Sequence, residues 1–398
     1  MQPVGCALKI KTVRKHIVCV LAAVFSVFAL PAWAAPYVPA NGDDVVAEIP
    51  SANLQARRAR AYQRIAHQRP ADLGLALQAA EISLALSLAE SDPRFAGHAE
   101  AALAPWWNQP DPPVQVRLLR ASILQGRHEF DRAVADLDAV IAAHPDNQQA
   151  VLSRAVIRQV QGRYDAANSD CAVIAGERRG LVSVTCRALV DSLTGKAAAA
   201  LASLDGAVAA QRKQESPQVV LWALTVQAET AQRLGRVEAA EAYFKDALSL
   251  GVKDGYLTTA YADFLLEQNR PREVVDMLKD TTAIDPFLLR LTEAERRLNL
   301  DIWHRHADDL AERFAAAAAR GDVVHRREEA RFALHLRDDA RRSLILAGAN
   351  WEVQREPADA MILLEAAAAA NPAAAQPVRD WIARNGLEDV RLNKVGKL

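Results

Sequence analysis

QQAVLSRAVIRQVQGRYDAANSDCAVIAG, residues 148–176, is the stretch that decides the fold. Val151, Ala155 and Val156 stand at i, i+4 and i+5, and Val160 follows, which makes one apolar helical face. Gly162-Arg163-Tyr164-Asp165 then interrupts the pattern. Glycine accepts the turn geometry, and Asp165 is expected to cap the next helix through its side-chain oxygen. Ala167, Cys171 and Ile174 resume at i, i+4 and i+7. The reading is a helix, a tight turn and an antiparallel helix, with Ala155 and Ala167 small where the two must approach.

The same spacing extends in both directions. Ala133, Ala167, Ala200, Ala240 and Val274 lie 34, 33, 40 and 34 residues apart. Five residues before the last four stand Gly162, Gly195, Gly235 and Asn269, residue types that tolerate a left-handed turn. Such a period is the signature of stacked helical repeats.

The pattern resembles the tetratricopeptide repeat family. Ala155, Gly162, Tyr164, Ala167, Cys171 and Ile174 fill its small, glycine, aromatic, alanine, bulky and apolar positions. The next unit offers Ala188, Gly195, Ala200, Leu204 and Ala207; the one after it offers Ala228, Gly235, Ala240, Phe244 and Ala247. A fourth offers Ala262, Asn269, Leu278 and Pro286. The preceding unit has Gly126, Phe130, Ala133, Leu137, Val140 and Pro145, with Gly126 to Ala133 two residues too long for the motif. Ala197, Val237 and Pro271 replace the aromatic in the last three units. The resemblance covers about 112–287 and implies an all-α, right-handed α-solenoid of stacked antiparallel helix pairs.

Outside that span the chain still reads as helix. Ser51 to Gln68, Ala71 to Leu88 and a helix from Asp92-Pro93 to Trp106-Trp107 form an N-terminal cap or degenerate repeat over 51–111. Trp303, Ala307, Leu310, Phe314 and Ala317 make an amphipathic stripe, as do Ala340, Leu344, Ala347 and Trp351. Helical repeats or a cap therefore fill 288–398. The whole is expected to be about ten hairpins, each contacting mainly its neighbours.

Residues 1–34 have the three parts of a secretory signal peptide. Lys9, Lys11, Arg14 and Lys15 precede an apolar run from Ile17 to Leu30, and Ala32-Trp33-Ala34 supplies small residues for cleavage after Ala34. That run is shorter than the ~20 residues a spanning helix needs. A linker over 35–50 follows. Removing the leader leaves 44 Lys and Arg against 49 Asp and Glu, a net charge of −5. The balance gives no hint of a nucleic-acid partner. A periplasmic or secreted protein, not membrane-spanning after cleavage, is the expectation.

Chemistry-bearing motifs are sparse. Gly195-Lys196 ends like a phosphate loop, but Val190 stands where the first glycine belongs and Ala197 where a hydroxyl is required. His128-Glu129 begins like a zinc-protease helix, yet Arg132 replaces the second histidine. Arg320-Gly321-Asp322 reads as a charged interhelix turn. In His325-Arg326-Arg327-Glu328-Glu329, His325 and Glu328 (or Glu329) share a face that a metal could use, with His304, His306 and His335 in the same region. The plainer alternative pairs Glu328 with Arg331 one turn on. No cofactor, metal or catalytic residue is assigned.

The leading expectation is thus an exported, non-enzymatic scaffold that binds a protein or peptide, in envelope assembly. The alternatives are an enzyme or metal-handling protein with its site in the C-terminal helices, and a purely structural spacer. The resemblance places the groove on Leu152, Val156, Gln159 and Val160, then Thr185, Leu189 and Ser192, then Trp222, Thr225, Glu229, Gln232 and Arg233. Trp222 is the candidate anchor, or else it packs against the neighbouring hairpin. Cys171 and Cys186 are each 7.5 residues from their hairpin's midpoint. Equal offset predicts a disulfide, provided the Cα atoms approach within about 7 Å.

Overall fold

Six turns share one backbone conformation. His128, Gly162, Gly195, Gly235, Asn269 and Asp338 all have positive φ, between 52° and 76°. Two residues after each a new helix starts, and five residues after each lies a buried side chain: Ala133, Ala167, Ala200, Ala240, Val274 and Ser343. In the first five, the N–H of the next residue donates to the carbonyl five residues back, at 2.8–3.2 Å. That bond satisfies an orphan carbonyl at the helix end and fixes the reversal.

One expectation is corrected here. Gly126 lies inside its helix, and His128 makes the turn instead. Histidine is among the residue types found more often than most at positive φ, and the distance to Ala133 becomes the same five residues as elsewhere. Of the two extra residues, Gly126 ends the preceding helix and Arg127 is its C-cap. Asp165 is also not a cap: it is the second residue of its helix. Its charge still lies near the positive end of the helix dipole.

The computed structural model describes residues 54–177, 180–322 and 324–392. The leader, the cleavage point after Ala34 and the 35–50 linker lie outside them. Among the described residues there are helices and no strand. In chain order these are α1 (Leu54–Gln68), α2 (Leu73–Glu90), α3 (Pro93–Ala102), α4 (Ala104–Trp107), α5 (Val114–Gly126), α6 (Phe130–Ala143), α7 (Gln148–Val160), α8 (Tyr164–Glu177), α9 (Leu181–Asp191) and α10 (Ala197–Gln211). They continue as α11 (Pro217–Arg233), α12 (Val237–Ser249), α13 (Gly255–Glu267), α14 (Pro271–Leu278), α15 (Asp285–Arg297), α16 (Ile302–Ala319), α17 (Arg326–Leu336), α18 (Ala340–Trp351), α19 (Pro357–Ala370) and α20 (Gln376–Asn385). Asp72, Asp92, Asn147, Ser216, Asp254 and Asp339 cap α2, α3, α7, α11, α13 and α18 through their side chains.

From α5 onward consecutive helices pair, and the stripe residues Ala307, Leu310, Phe314 and Ala317 are buried as their spacing requires. One apolar cluster runs from α9 to α17, with Phe244, Tyr261 and Phe264 in mutual ring contact at 5.4–6.1 Å. A second joins α7–α9 to α18–α20, where Trp351 meets Trp381 edge-on at 5.0 Å and Tyr164 packs at 6.0 Å from Trp381.

That second cluster departs from the expected nearest-neighbour stack. The C-terminal helices turn back onto repeats about 200 residues earlier in the chain. The first pair is drawn in as well: Lys253 reaches Glu90 at 3.2 Å, and the first residue of α13, Gly255, lies where a Cβ would overlap the Ser91 hydroxyl.

Candidate binding surface

The residues that the sequence assigns to a groove lie on α7, on α9 and its C-cap Ser192, and on α11. Leu152, Val156, Val160, Leu189, Trp222 and Glu229 are half-buried; Gln159, Thr185, Ser192, Thr225, Gln232 and Arg233 are buried. The hydroxyls of Thr185 and Thr225 donate back to carbonyls one turn earlier, both at 2.8 Å, and Ser192 does so to Leu189 at 2.9 Å. Gln232 donates to Glu267 at 2.6 Å, and Glu229 accepts from the Tyr256 hydroxyl at 2.6 Å. Trp222 packs against both large apolar clusters. Val160 lies in a cluster that Val353 joins, and Leu152 packs beside the C-terminal helices.

The chain's own C-terminal helices therefore lie against part of this face. Beyond α20, residues 386–390 run along the row of turns. Gly162 faces Arg355 and Trp381, Gly195 faces Gly386, and Gly235 faces Val390, each with room for a Cβ only 3.3–3.4 Å from its neighbour. Backbone hydrogen bonds join the two parts: Arg355 N–H to the Val160 carbonyl at 2.7 Å and Val390 N–H to the Arg233 carbonyl at 2.9 Å. The Glu388 carboxylate accepts from Ala197 N–H at 2.9 Å, at the start of α10. Glycine thus occupies the turns under this strap, whereas His128, Asn269 and Asp338 serve at turns of the same conformation elsewhere.

Further along, the inner side chains form a ladder of ion pairs. Arg290 on α15 bridges Asp263 on α13, at 3.0 Å, and Glu328 on α17, at 2.6 Å. Arg331 reaches Asp263 and Glu293, both at 2.6 Å. Arg327 pairs with Glu356 at 2.9 Å and with Asp359 at 3.3 Å. His335 lies between Glu365 at 3.0 Å and Glu293 at 3.6 Å. Burial disfavours its charge, but the two carboxylates prevail and hold it protonated, with a pKa of about 9. Burial also pushes Glu293 up, yet Arg331 and His335 hold it well below the usual carboxylate range.

The short-range pairing of Glu328 with Arg331 is thus corrected, because both reach across to other helices. His325 lies 4.0 Å from Asp322, Glu329 turns to Arg342 at 3.8 Å, and His306 binds Glu295 at 2.8 Å. Among the described residues no three His, Cys, Asp or Glu groups converge as a metal site. Cys171 and Cys186 do converge: they form a disulfide, with Cα atoms 5.6 Å apart.

The packing order decides the architecture. From α5 to α19 the first helix of each pair touches the first helix of the next, so one face is lined by first helices alone. With the six left-handed turns and the buried residue five positions beyond each, the repeat architecture follows. The pairs stack as an all-α solenoid of tetratricopeptide-like helix hairpins. Comparison with solved structures finds likeness to a thermophilic tetratricopeptide-repeat protein from Thermus thermophilus, at 22% identity over 52% of this chain and 99% of that one, TM-score 0.35. A tetratricopeptide repeat protein from Parabacteroides merdae matches at 13% identity over 72% of this chain and 97% of that one, TM-score 0.36. No family model and no curated protein matches the sequence. The repeat assignment rests on the turn and packing geometry of this chain.

Some repeating positions escaped the sequence reading. Arg120 pairs with Asp136 at 2.6 Å, and Arg154 with Asp170 at 2.7 Å, each tying a first helix to its second. Both arginines and both aspartates are separated by the repeat length of 34, which is the signal that could have found them. The Asp338 turn, with Ser343 five residues on, lies 69 residues beyond Asn269, about two repeat lengths, and aspartate and serine replace the glycine and alanine that mark most of the others.

Proposed function

We propose that this chain is an exported, non-catalytic scaffold that binds a protein or peptide along the face lined by its first helices, in envelope assembly. The row of first helices carries the reading. It sets Leu152 and Val156, Leu189, Trp222 and Glu229 in series on successive pairs, and an extended ligand can contact such a series without any compact motif. The basic start, the apolar run and Ala32-Trp33-Ala34 support export. The mature net charge of −5 favours a protein ligand over nucleic acid.

Site-specific photocrosslinking in the envelope tests the reading. A photoreactive side chain at Leu152 or Leu189 should trap one partner. The same group at Ile345, which is 73% exposed, or at Val173, 56% exposed, should not. Crosslinks confined to the latter two positions would move the site off the first-helix face. Mass spectrometry of the mature protein should find Ala35 at its N-terminus; an intact Met1 would overturn export.

A further inference from the structure

Residues 54–71 carry five arginines and no acid, although the mature chain has a net charge of −5. Everything outside this stretch therefore sums to −10. Arg57, Arg58, Arg60 and Arg64 lie on α1, and Arg69 follows its last residue. A charge distribution this uneven concerns association with a partner rather than the fold.

α1 has distinct inner and outer sides. Ala56, Ala59 and Ala66 are buried, and Gln63 donates to the Ser83 hydroxyl on α2 and to the His98 carbonyl on α3, both at 3.0 Å. The outer half holds two rows at helical spacing. Arg60, Arg64 and His67 stand at i, i+4 and i+7, and Arg58 and Ile65 at i and i+7. All five are exposed, Ile65 to 41%. Exposed arginines on other helices answer acids: Arg187 meets Asp191, Arg212 meets Asp246 and Arg337 meets Asp308, each at 2.8 Å. Among the described residues Arg58, Arg60 and Arg64 meet no acid.

We propose that the outer half of α1 docks the protein on an anionic phospholipid surface. Like charges side by side on one helix repel, and a surface of opposite sign relieves the repulsion. The shape favours a membrane over an acidic protein. The exposed side chains span about half the helix circumference, which makes a convex ridge and not a groove. A fluid layer of anionic headgroups reaches cations on both rows at once, and Ile65 adds an aliphatic group for the headgroup boundary. A folded partner would need acids wrapped around the same half-cylinder. The proposal shares with the function above only the export that brings the chain to an envelope membrane. It is measured on purified protein, so the two fail separately.

The test mixes the mature protein with vesicles of phosphatidylcholine alone, or of equal parts phosphatidylcholine and phosphatidylglycerol, and reads bound protein by sedimentation. Binding should require phosphatidylglycerol and should fall severalfold as salt rises from about 0.05 to about 0.3 M. The triple variant Arg58→Gln, Arg60→Gln and Arg64→Gln should keep its Tm and bind roughly a hundredfold more weakly, since each arginine near such a surface contributes about fivefold. Lysine at the same three positions should preserve binding to within about threefold. Arg341→Gln, Arg379→Gln and Arg384→Gln together remove the same charge from other exposed positions and should change binding less than about threefold. Equal binding to phosphatidylcholine alone, unchanged binding of the α1 glutamine variant, or an equal loss in the control variant overturns the proposal. Binding to poly-L-glutamate without binding to the anionic vesicles overturns the membrane assignment. The lipid and salt comparisons use the unaltered protein, so they decide the matter even if a variant fails to fold.

Discussion

Replacing Gly195 by asparagine separates two roles that glycine plays under the strap. The residue has φ +76°, and Asn269 shows that asparagine is accepted in the same turn conformation at +57°. The backbone cost of Gly195→Asn should therefore be below the 1–2 kcal/mol typical of a left-handed L-residue. The added side chain is a different matter. Its Cβ would lie 3.4 Å from the Gly386 carbonyl oxygen, and the amide beyond it must enter space that residues 386–388 fill. Displacing them breaks the hydrogen bond from Ala197 N–H to Glu388, about 1.5–3 kcal/mol for a bond to a charged group. It also uncovers Leu387, now 8% exposed, for a further ~1.5–3 kcal/mol. Partial retention of both makes about 2–4 kcal/mol the expected loss. Gly251→Asn is the control, because Gly251 has φ +68° with nothing within 4 Å of its Cβ position. Urea unfolding should show the larger loss in Gly195→Asn, and hydrogen exchange over 386–392 should accelerate in that variant alone. Equal losses in the two variants, with exchange over 386–392 unchanged, would refute the idea that the strap requires glycine beneath it.

Three further outcomes are expected. Unfolded, non-reduced protein should titrate no free thiol from Cys171 and Cys186, and reduction should cost roughly 3 kcal/mol for so short a loop, read from urea midpoints. His335, with its folded pKa raised to about 9 from an ordinary 6.5, contributes stability that is complete below pH 6.5 and lost as pH rises through 9. Because the side chain is 32% exposed, that loss should be on the order of 1–2 kcal/mol and absent in His335→Gln. Arg290→Ala should destabilise by about 3 kcal/mol in urea, towards the low end for a broken buried pair, since Asp263 keeps Arg331; a loss under 1 kcal/mol would show that the ladder adds little.

The sequence by itself determined the helix pairs and the period of their turns. Turn residues that tolerate positive φ, an apolar face at helical spacing and a small residue five positions past each turn are local requirements, so each leaves a trace within one repeat length. The hairpin that brings Cys171 and Cys186 together was legible for the same reason. Even the one misread turn, Gly126 in place of His128, failed only because histidine seldom signals a left-handed residue. The tertiary structure alone decided what covers the first-helix face. Arg355 on the Val160 carbonyl, Val390 on the Arg233 carbonyl and Glu388 on Ala197 join segments about 160–195 residues apart. Nothing in the period of either segment specifies the other. The same holds for Arg290 and Arg331: beside their own sequence neighbours they look like solvated helix charges, and only the stacking of α13, α15 and α17 gives them Asp263, Glu328 and Glu293. Burial and charge pairing depend on what lies across space, and for a solenoid that turns back on itself those neighbours lie far away in the chain.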